Sequence, residues 1–186
     1  MQSVSLAGHF LIAMPAMEDA HFRDTVTYLC EHTEKGALGV VVNRPLDLTM
    51  ESLFGQMDIQ VEDADLLARP VFFGGPVSGH HGFVLHRSGG EWNSSLAVGS
   101  ELTLTTSRDV LEAVARGEGP RDWMLTLGYA GWGAGQLEEE LGANAWLTVA
   151  ADAELLFGTP PAELLDRALA RLGVSRLSLA SFAGHA

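Results

Sequence analysis

The chain has 186 residues, of which 47% are hydrophobic and 19% charged, and a formal net charge of −13 at pH 7. A chain of this length and composition can bury a core without disulfides, so we expect one folded domain over residues 1–186. Its 24 acidic residues outnumber 11 basic ones, which disfavours direct binding to nucleic acids and to anionic membranes because phosphate groups would be repelled.

Cysteine usage and the N-terminal segment bear on the compartment. The single cysteine, Cys30, cannot form an intramolecular disulfide, which removes the main reason to expect an oxidising compartment. Residues 1–17 contain no Lys or Arg, and their apolar run, 10–14, ends at Pro15, so we expect no secretory signal. No apolar stretch has the length needed to span a bilayer. The sequence therefore predicts a cytoplasmic protein.

The first half of the chain is dominated by strand patterns. Short apolar or alternating runs rich in β-branched residues predict strands over residues 9–14, 25–32, 37–43, 71–73, 82–86 and 101–106. The connection 34–36, which contains Gly36, predicts an antiparallel hairpin between the second and third of these strands. A short helix is expected over 49–57.

Helices and strands alternate in the second half. In chain order we expect a helix over 107–116, a strand over 123–129, a helix over 136–141, a strand over 146–150 and a helix from 159–161 to Gly173. Ser107 is expected to cap the first of these helices through its hydroxyl, and Pro161 suits the first turn of the last. The predicted fold is α+β, with a mixed, largely antiparallel sheet flanked by short helices.

A glycine cluster lies between the strand 123–129 and the helix 136–141, at Gly128, Gly131, Gly133 and Gly135. We interpret it as a sharp loop, to which Tyr129 and Trp132 add large surfaces. Gln136 stands where a dinucleotide-binding motif needs glycine, and the glutamates at 138–140 would repel a phosphate. Two alternatives remain, namely close packing with Trp132 buried, or a pocket for a neutral or cationic group lined by Trp132 and Gln136.

Two further segments carry candidate polar residues. Residues 73–79 form a second glycine-rich segment, in which Ser78 suggests a hydrolase nucleophile, with three histidines nearby at positions 80, 81 and 86. No G-x-S-x-G pattern surrounds Ser78, so a tight turn is favoured. Asn43 and Arg44 end a strand, where a turn is favoured over a ligand role by about two to one.

Metal and cofactor sites are not expected. Cys30 and His32 share one face of a predicted strand, but no second Cys and His pair completes a zinc pattern. We interpret Cys30 as a small core residue, and we expect neither a metal nor a cofactor.

The chain resembles the YqgE/AlgH family of bacterial proteins, collinearly over residues 6–173. Four blocks carry the resemblance: LAGHFLIAMP (6–15), DTVTYLCEHTEKGALGVVVNRP (24–45), FGGPV with GFVLH (73–77 and 82–86), and GYAGWGAGQLEEEL with NAWL (128–141 and 144–147). The resemblance implies an α+β fold whose sheet curls toward a barrel, with helices packed around it. It implies no activity, because the family has no established reaction; one branch is labelled a transcriptional regulator.

Our leading hypothesis is a non-enzymatic regulatory protein that binds an unidentified protein or small molecule, as a monomer or small homo-oligomer. Its cleft is expected to join the three glycine-bearing blocks through Asn43, Arg44, Gly74, Gly75, Pro76, Tyr129, Trp132 and Gln136. Because the chain is acidic, we expect any effect on transcription to be indirect. The alternatives are a small hydrolase with a Ser and His site, and a purely structural protein-interaction domain.

Overall fold

The computed structural model describes residues 4–15 and 19–183. Residues 1–3, 16 and 17 of the segment considered above for a secretory signal lie outside the described residues, as do residues 18 and 184–186. The strands are β1 (His9–Ala13), β2 (Val26–Thr33), β3 (Gly36–Val41), β4 (Pro45–Thr49), β5 (Pro70–Phe73), β6 (Val77–Arg87), β7 (Ser95–Val98), β8 (Leu102–Thr105), β9 (Trp123–Gly133) and β10 (Trp146–Ala150). The helices are α1 (Met50–Gln56), α2 (Ala64–Leu67), α3 (Asp109–Ala115), α4 (Gln136–Gly142), α5 (Ala153–Phe157), α6 (Pro161–Ala170) and α7 (Arg176–Ala183).

The strands form one sheet in the order β10-β1-β2-β3-β9-β6-β8-β7, in which adjacent strands are antiparallel. Strand β4 pairs with β5, and β5 runs parallel to β9. The sheet curls into a half-barrel with short helices around it, which confirms the predicted α+β class and the mixed, largely antiparallel sheet. Strand β9 connects the two halves of the sheet, because it pairs with three strands, β3, β5 and β6.

Helices cover the sheet and divide the core into three clusters. One joins the sheet to α5, α6 and α7, with Leu164, Leu165 and Leu169 of α6 almost fully buried. A second joins the sheet to α1, α2 and α3, and a third packs Leu137 of α4 against Trp132. Each fully buried leucine stabilises the fold by about 1.5–3 kcal/mol. Within the described residues, no helix has both the length and the apolar character needed to cross a membrane.

The glycine cluster is largely a strand, and the predicted loop over it is wrong. Strand β9 continues through Gly133, with Gly131 opposite Leu38 and Gly133 opposite Gly36 in β3. A Cβ on Gly36 would lie 2.2 Å from the carbonyl oxygen of Trp132, so glycine permits this close approach. Hydrogen bonding to β3 therefore overrides the low strand propensity of glycine, and the turn shrinks to residues 134–135.

Ser107 does not cap α3, so that prediction is also wrong. The residue at the cap position is Arg108, which makes no side-chain capping bond. The Ser107 hydroxyl instead donates to Asp109 Oδ1 (2.5 Å) and accepts from the amide of Ser94 (3.0 Å). The hydroxyl is thus already engaged by a tertiary contact that the local pattern does not reveal.

Several predicted elements are confirmed. The short helix expected over 49–57 is α1, which Thr49 caps by accepting from the amide of Ser52. Pro161 opens α6, and β2 and β3 form the expected hairpin. The elements absent from the prediction, each four to eight residues long, are β4, β7, α2, α5 and α7. Such short segments carry too few residues for a periodic pattern.

Candidate functional site

Asn43 holds the connection that enters β2. Its Oδ1 accepts from the amide of Val26 (2.8 Å), and its Nδ2 donates to the carbonyl oxygen of Asp24 (3.1 Å). Asp24 has a φ of 58°, in the left-handed region that is uncommon for residues other than glycine. The Asn43 amide therefore helps to stabilise an unfavourable backbone conformation.

Arg44 binds the same connection, residues 20–25, which we call the 20–25 loop. Its guanidinium donates to the carbonyl oxygens of Ala20 (3.3 Å), His21 (2.7 Å) and Arg23 (2.6 Å). The guanidinium carbon also lies 5.8 Å from the centre of the Phe73 ring, on which the His21 ring stacks at 6.0 Å. His21, Arg44 and Phe73 border an open depression of about 310 Å³. Arg44 thus ties the loop to the end of β5.

The 20–25 loop forms one wall of a cavity of about 570 Å³, which we call the loop cavity. Its other walls come from the end of β1, from α6 and from α7. The lining residues combine apolar side chains with two arginines and one aspartate: Ile12, Ala13, Met14, Pro15, Leu165, Leu169, Leu179 and Ala180, with Arg23, Asp24 and Arg176. This volume is within the range of about 300–1,000 Å³ that small-molecule sites occupy.

The two arginines of the loop cavity differ in their surroundings. Arg176 donates through Nε to Asp166 Oδ1 at 2.7 Å, which fixes the guanidinium but leaves its terminal nitrogens outside that bond. Arg23 is exposed, and its side chain forms no ion pair with any residue in 4–15 or 19–183. The cavity therefore presents guanidinium N–H groups to an incoming molecule.

Gly74 and Gly75 pack directly against the backbone of β9. The amide of Gly74 donates to the carbonyl oxygen of Leu127 (2.8 Å). A Cβ on Gly74 would lie 2.3 Å from the oxygen of Gly128, and one on Gly75 would lie 2.1 Å from the carbonyl carbon of Tyr129. The two glycines are buried, so their contribution is close packing between β9 and the connection from β5 to β6. Pro76, which follows them, is exposed.

Trp132 is buried and connects to the 20–25 loop through aromatic contacts. Its ring centre lies 5.8 Å from that of Trp146 and 6.4 Å from that of Phe22, a residue of the loop. Burial raises the pKa of the Glu140 carboxyl, and the indole groups of Trp146 and Trp132 lower it to a smaller extent. Gln136 closes the turn before α4, because its Oε1 accepts from the amide of Gly133 (2.9 Å).

Six of the eight predicted cleft residues thus form two groups, to which Pro76 and Gln136 do not belong. Asn43 and Arg44 bond to the backbone at the 20–25 loop, and Trp132 contacts the loop through the ring of Phe22. Gly74, Gly75 and Tyr129 meet at the backbone of β9, where Tyr129 also packs edge-on against Phe83 at 5.5 Å. Among the cavities given above for the described residues, Arg44 borders one, and the other predicted residues border none.

Sequence reasoning missed Arg23, Asp24 and Arg176 as residues of a common cavity. They meet because α7, which the sequence pattern did not predict, packs next to the end of β1. The pair Arg23 and Asp24 directly before β2 was the available signal, but adjacent charges at a strand entrance are common on protein surfaces.

Within the described residues, His86 is the histidine that lies within hydrogen-bond reach of a hydroxyl on a neighbouring strand. Its Nδ1 donates to the carbonyl oxygen of Arg87 (2.7 Å), so Nε2 accepts from the Thr105 hydroxyl (2.8 Å), which in turn lies 2.8 Å from that of Ser95. Burial lowers the pKa of His86, and both His86 and Thr105 are fully buried. A backbone carbonyl, rather than a carboxylate, orients the ring. No hydrogen bond joins Ser78 to a histidine within the described residues.

Metal-binding geometry is also absent from the part of the chain that the structure describes. No group of three or more His, Cys, Asp or Glu side chains there could hold a metal ion. Cys30 is buried, which raises the pKa of its thiol and disfavours the reactive thiolate.

Comparison with known proteins gives matches over nearly the whole chain. The family model described as AlgH-like matches residues 10–176. UPF0301 proteins of Burkholderia thailandensis and Burkholderia cenocepacia are 56% and 55% identical over 185 residues, covering 98% of this chain and 96% of each relative. The solution structure of the AlgH protein from Pseudomonas aeruginosa is 50% identical, with a TM-score of 0.81 over 97% of this chain and 96% of that one. A crystal structure from Corynebacterium diphtheriae shares the fold, with a TM-score of 0.70 at 19% identity over 91% of this chain and 88% of that one.

Proposed function

Since the chain belongs to the AlgH-like family, whose function is not established, we propose that it is a non-enzymatic regulatory protein of the cytoplasm that binds a ligand or partner at the 20–25 loop. The observation that carries the proposal is the set of five hydrogen bonds that Asn43 and Arg44 make to the backbone at this loop. Such order favours binding, because a loop fixed in advance loses less entropy when it binds.

Side chains from outside the 20–25 loop order its backbone. Fixing the backbone of one residue costs about 1–2 kcal/mol of conformational entropy. Two side chains that follow β3 bond to the backbone here, and one of them, Asn43, donates to the carbonyl oxygen of Asp24, which has a left-handed conformation. Loops positioned in this way by a rigid scaffold commonly carry binding residues. We therefore assign Asn43 and Arg44 the role of positioning residues.

In this proposal, the remaining cleft residues support the 20–25 loop by packing and do not contact the ligand. Gly74 and Gly75 let the end of β5 approach β9, which places Phe73 beneath the Arg44 guanidinium. Pro76 follows these glycines, and Tyr129 packs edge-on against Phe83. Trp132 contacts the Phe22 ring, and Gln136 closes the turn before α4. The ligand or partner then contacts the loop and its cavity rather than the glycines.

The charge of the protein favours an indirect route for any regulatory effect. With 24 acidic and 11 basic residues, the protein would repel the DNA backbone. We propose that it acts through a protein or small molecule instead.

Native mass spectrometry of the protein purified from its own host tests the proposal. Arg44→Ala removes the side-chain hydrogen bonds of Arg44 to the loop. Arg116→Ala is a matched control, because Arg116 forms an exposed ion pair with Glu118. We expect a bound small molecule or protein in the wild type and in Arg116→Ala, and its loss in Arg44→Ala. A bare wild-type chain, or an occupant that Arg44→Ala retains, would overturn the proposal.

A further inference from the structure

We infer that the loop cavity takes a small carboxylate that carries an apolar tail. This inference rests on the proposed function, because it names the class of ligand for the same site. It combines three features of the cavity, namely its apolar floor, its two guanidinium groups and the balance of charge around them.

The floor of the loop cavity is apolar and rigid. Ile12 lies in β1, Leu165 and Leu169 lie in α6, and Leu179 lies in α7, and none is more than 7% exposed. Their backbones belong to regular elements, so the floor does not depend on the loop for its shape. A floor of this kind favours an alkyl or aryl group, because contact removes apolar surface from water.

The rim of the loop cavity provides two guanidinium groups, one fixed by an ion pair and one carried by an ordered backbone. Asp166 holds Arg176 through Nε alone, which leaves both terminal nitrogens of that guanidinium able to donate to a ligand. The backbone of Arg23 is held at both ends, because its amide donates to Asp19 (3.0 Å) and its carbonyl oxygen accepts from Arg44 (2.6 Å). The planar guanidinium fork matches the two oxygens of a carboxylate.

The charges around the lining favour an anion through their unpaired guanidinium N–H groups rather than through a net charge. Arg23 and Arg176 stand against Asp24 among the lining residues, and Asp166 outside the lining pairs with Arg176, so these four formal charges sum to zero. An anionic head group can accept from the terminal nitrogens of Arg176 and from Arg23, which forms no ion pair within the described residues. A cationic head group would find Asp24 as its one carboxylate partner among the lining residues.

Calorimetric titration of the full chain with three probes that each contain an eight-carbon chain tests the inference. The probes are octanoate, octanol and octyltrimethylammonium, each used below its micelle concentration. We expect octanoate to bind, and we expect Arg23→Gln and Arg176→Gln each to weaken its binding about tenfold or more, because each removes a charged hydrogen-bond donor. Arg167→Gln is the matched control, since Arg167 lies on α6, pairs with Glu163 and does not line the cavity.

A second variant separates the cavity from other surfaces. Ala180 is exposed and lines the cavity from α7, so Ala180→Phe fills the space without removing a charge. We expect this variant to remain folded and to lose octanoate binding. Octanoate binding that survives Ala180→Phe would overturn the inference, because the ligand would then sit elsewhere.

The outcomes distinguish this inference from the proposed function. Binding of octanol or octyltrimethylammonium as tight as that of octanoate would overturn the carboxylate assignment and leave the binding function intact. Failure of octanoate to bind, together with a native occupant that Arg44→Ala loses, would likewise overturn the inference alone. Failure of both experiments would overturn both proposals.

Discussion

Replacement of Arg44 by alanine should release the 20–25 loop while leaving the sheet folded. The variant removes three hydrogen bonds to loop carbonyl oxygens and the contact with the Phe73 ring at 5.8 Å. A hydrogen bond from a charged donor contributes about 1.5–3 kcal/mol, and an exposed cation–π contact about 0.5–1 kcal/mol. Because one half-buried guanidinium supplies all of these contacts, we discount their sum and expect the loop to lose about 2 kcal/mol of local stability.

Amide hydrogen exchange measures this local loss directly. The amides of Arg23 and Thr25 donate to the carbonyl oxygens of Asp19 (3.0 Å) and Phe22 (3.1 Å), so their protection reports on the loop. A loss of about 2 kcal/mol should speed their exchange about 30-fold, since every 1.4 kcal/mol corresponds to a factor of ten. Amides at the centre of β2 and β3 should exchange at unchanged rates.

Two comparisons sharpen this experiment. Arg44→Lys keeps the charge but offers a single ammonium instead of a fork, so we expect an intermediate rate of exchange. Exchange at Arg23 and Thr25 that matches the wild type in Arg44→Ala would refute the reasoning. A uniform increase at every amide would also refute it, because Arg44 would then stabilise the whole fold rather than the loop.

The other predictions concern packing and pH. Gly74→Ala should yield little folded protein, because its Cβ would lie 2.3 Å from the oxygen of Gly128. Gly55→Ala in α1 should instead raise the free energy of unfolding by about 0.5–1 kcal/mol, since a Cβ there meets nothing within 4 Å and alanine favours a helix over glycine. Thermal melts check both, and a well-folded Gly74→Ala protein would contradict the packing account. Burial lowers the pKa of His86, so the unfolded chain binds a proton first and stability should fall as the pH drops below about 6.5. Urea titrations give the free energy of unfolding at each pH between about 7 and 5, and this free energy should fall less steeply with falling pH in His86→Gln than in the wild type, by at most about 1.4 kcal/mol per pH unit. The same pH dependence in both proteins would contradict this assignment to His86. The pKa of Asp152 lies below its usual range, mainly because its carboxylate accepts from the backbone amide of Leu155 in α5. The ionised carboxylate therefore stabilises the fold above the ordinary pKa of 3.8, and this stabilisation is lost as the pH falls through the lowered value. Asp152→Asn should flatten this acid-side loss in circular dichroism, and an acid transition identical to that of the wild type would argue against the assignment.

The sequence predicted strands well where local pattern and tertiary packing agree. The runs at β1, β2 and β3 are apolar and β-branched, and their burial in the sheet follows that pattern. The start of α1 was predictable because Thr49 supplies a capping oxygen, and that of α6 because Pro161 suits a first turn.

The glycine cluster shows where local reasoning fails. Four glycines in eight residues favour a loop when each is judged by its own conformational freedom. Pairing of Gly131 and Gly133 with β3 depends on residues about 90 positions away, and the close approach of the two strands requires the absence of side chains. The same glycines therefore serve a strand, for a reason that only the tertiary structure supplies.

The candidate site was predictable in its supporting residues and not in its lining. Asn43 and Arg44 were chosen because polar residues end a strand, and in the structure their side chains donate to backbone carbonyl oxygens of the 20–25 loop. The loop cavity requires α7, whose eight residues show too weak an amphipathic pattern to be predicted. Arg176 therefore could not be connected to Arg23 from the sequence.

The most direct test of the central claim is a map of amide chemical shifts of the isotope-labelled protein when a small-molecule extract of its own host is added. The account predicts shifts at Arg23, Asp24 and Ala180, around the loop cavity, with the amides of Gly131 and Gly133 in β9 unchanged. Shifts confined to the glycines of β9, or the absence of any shift around the cavity, would contradict it.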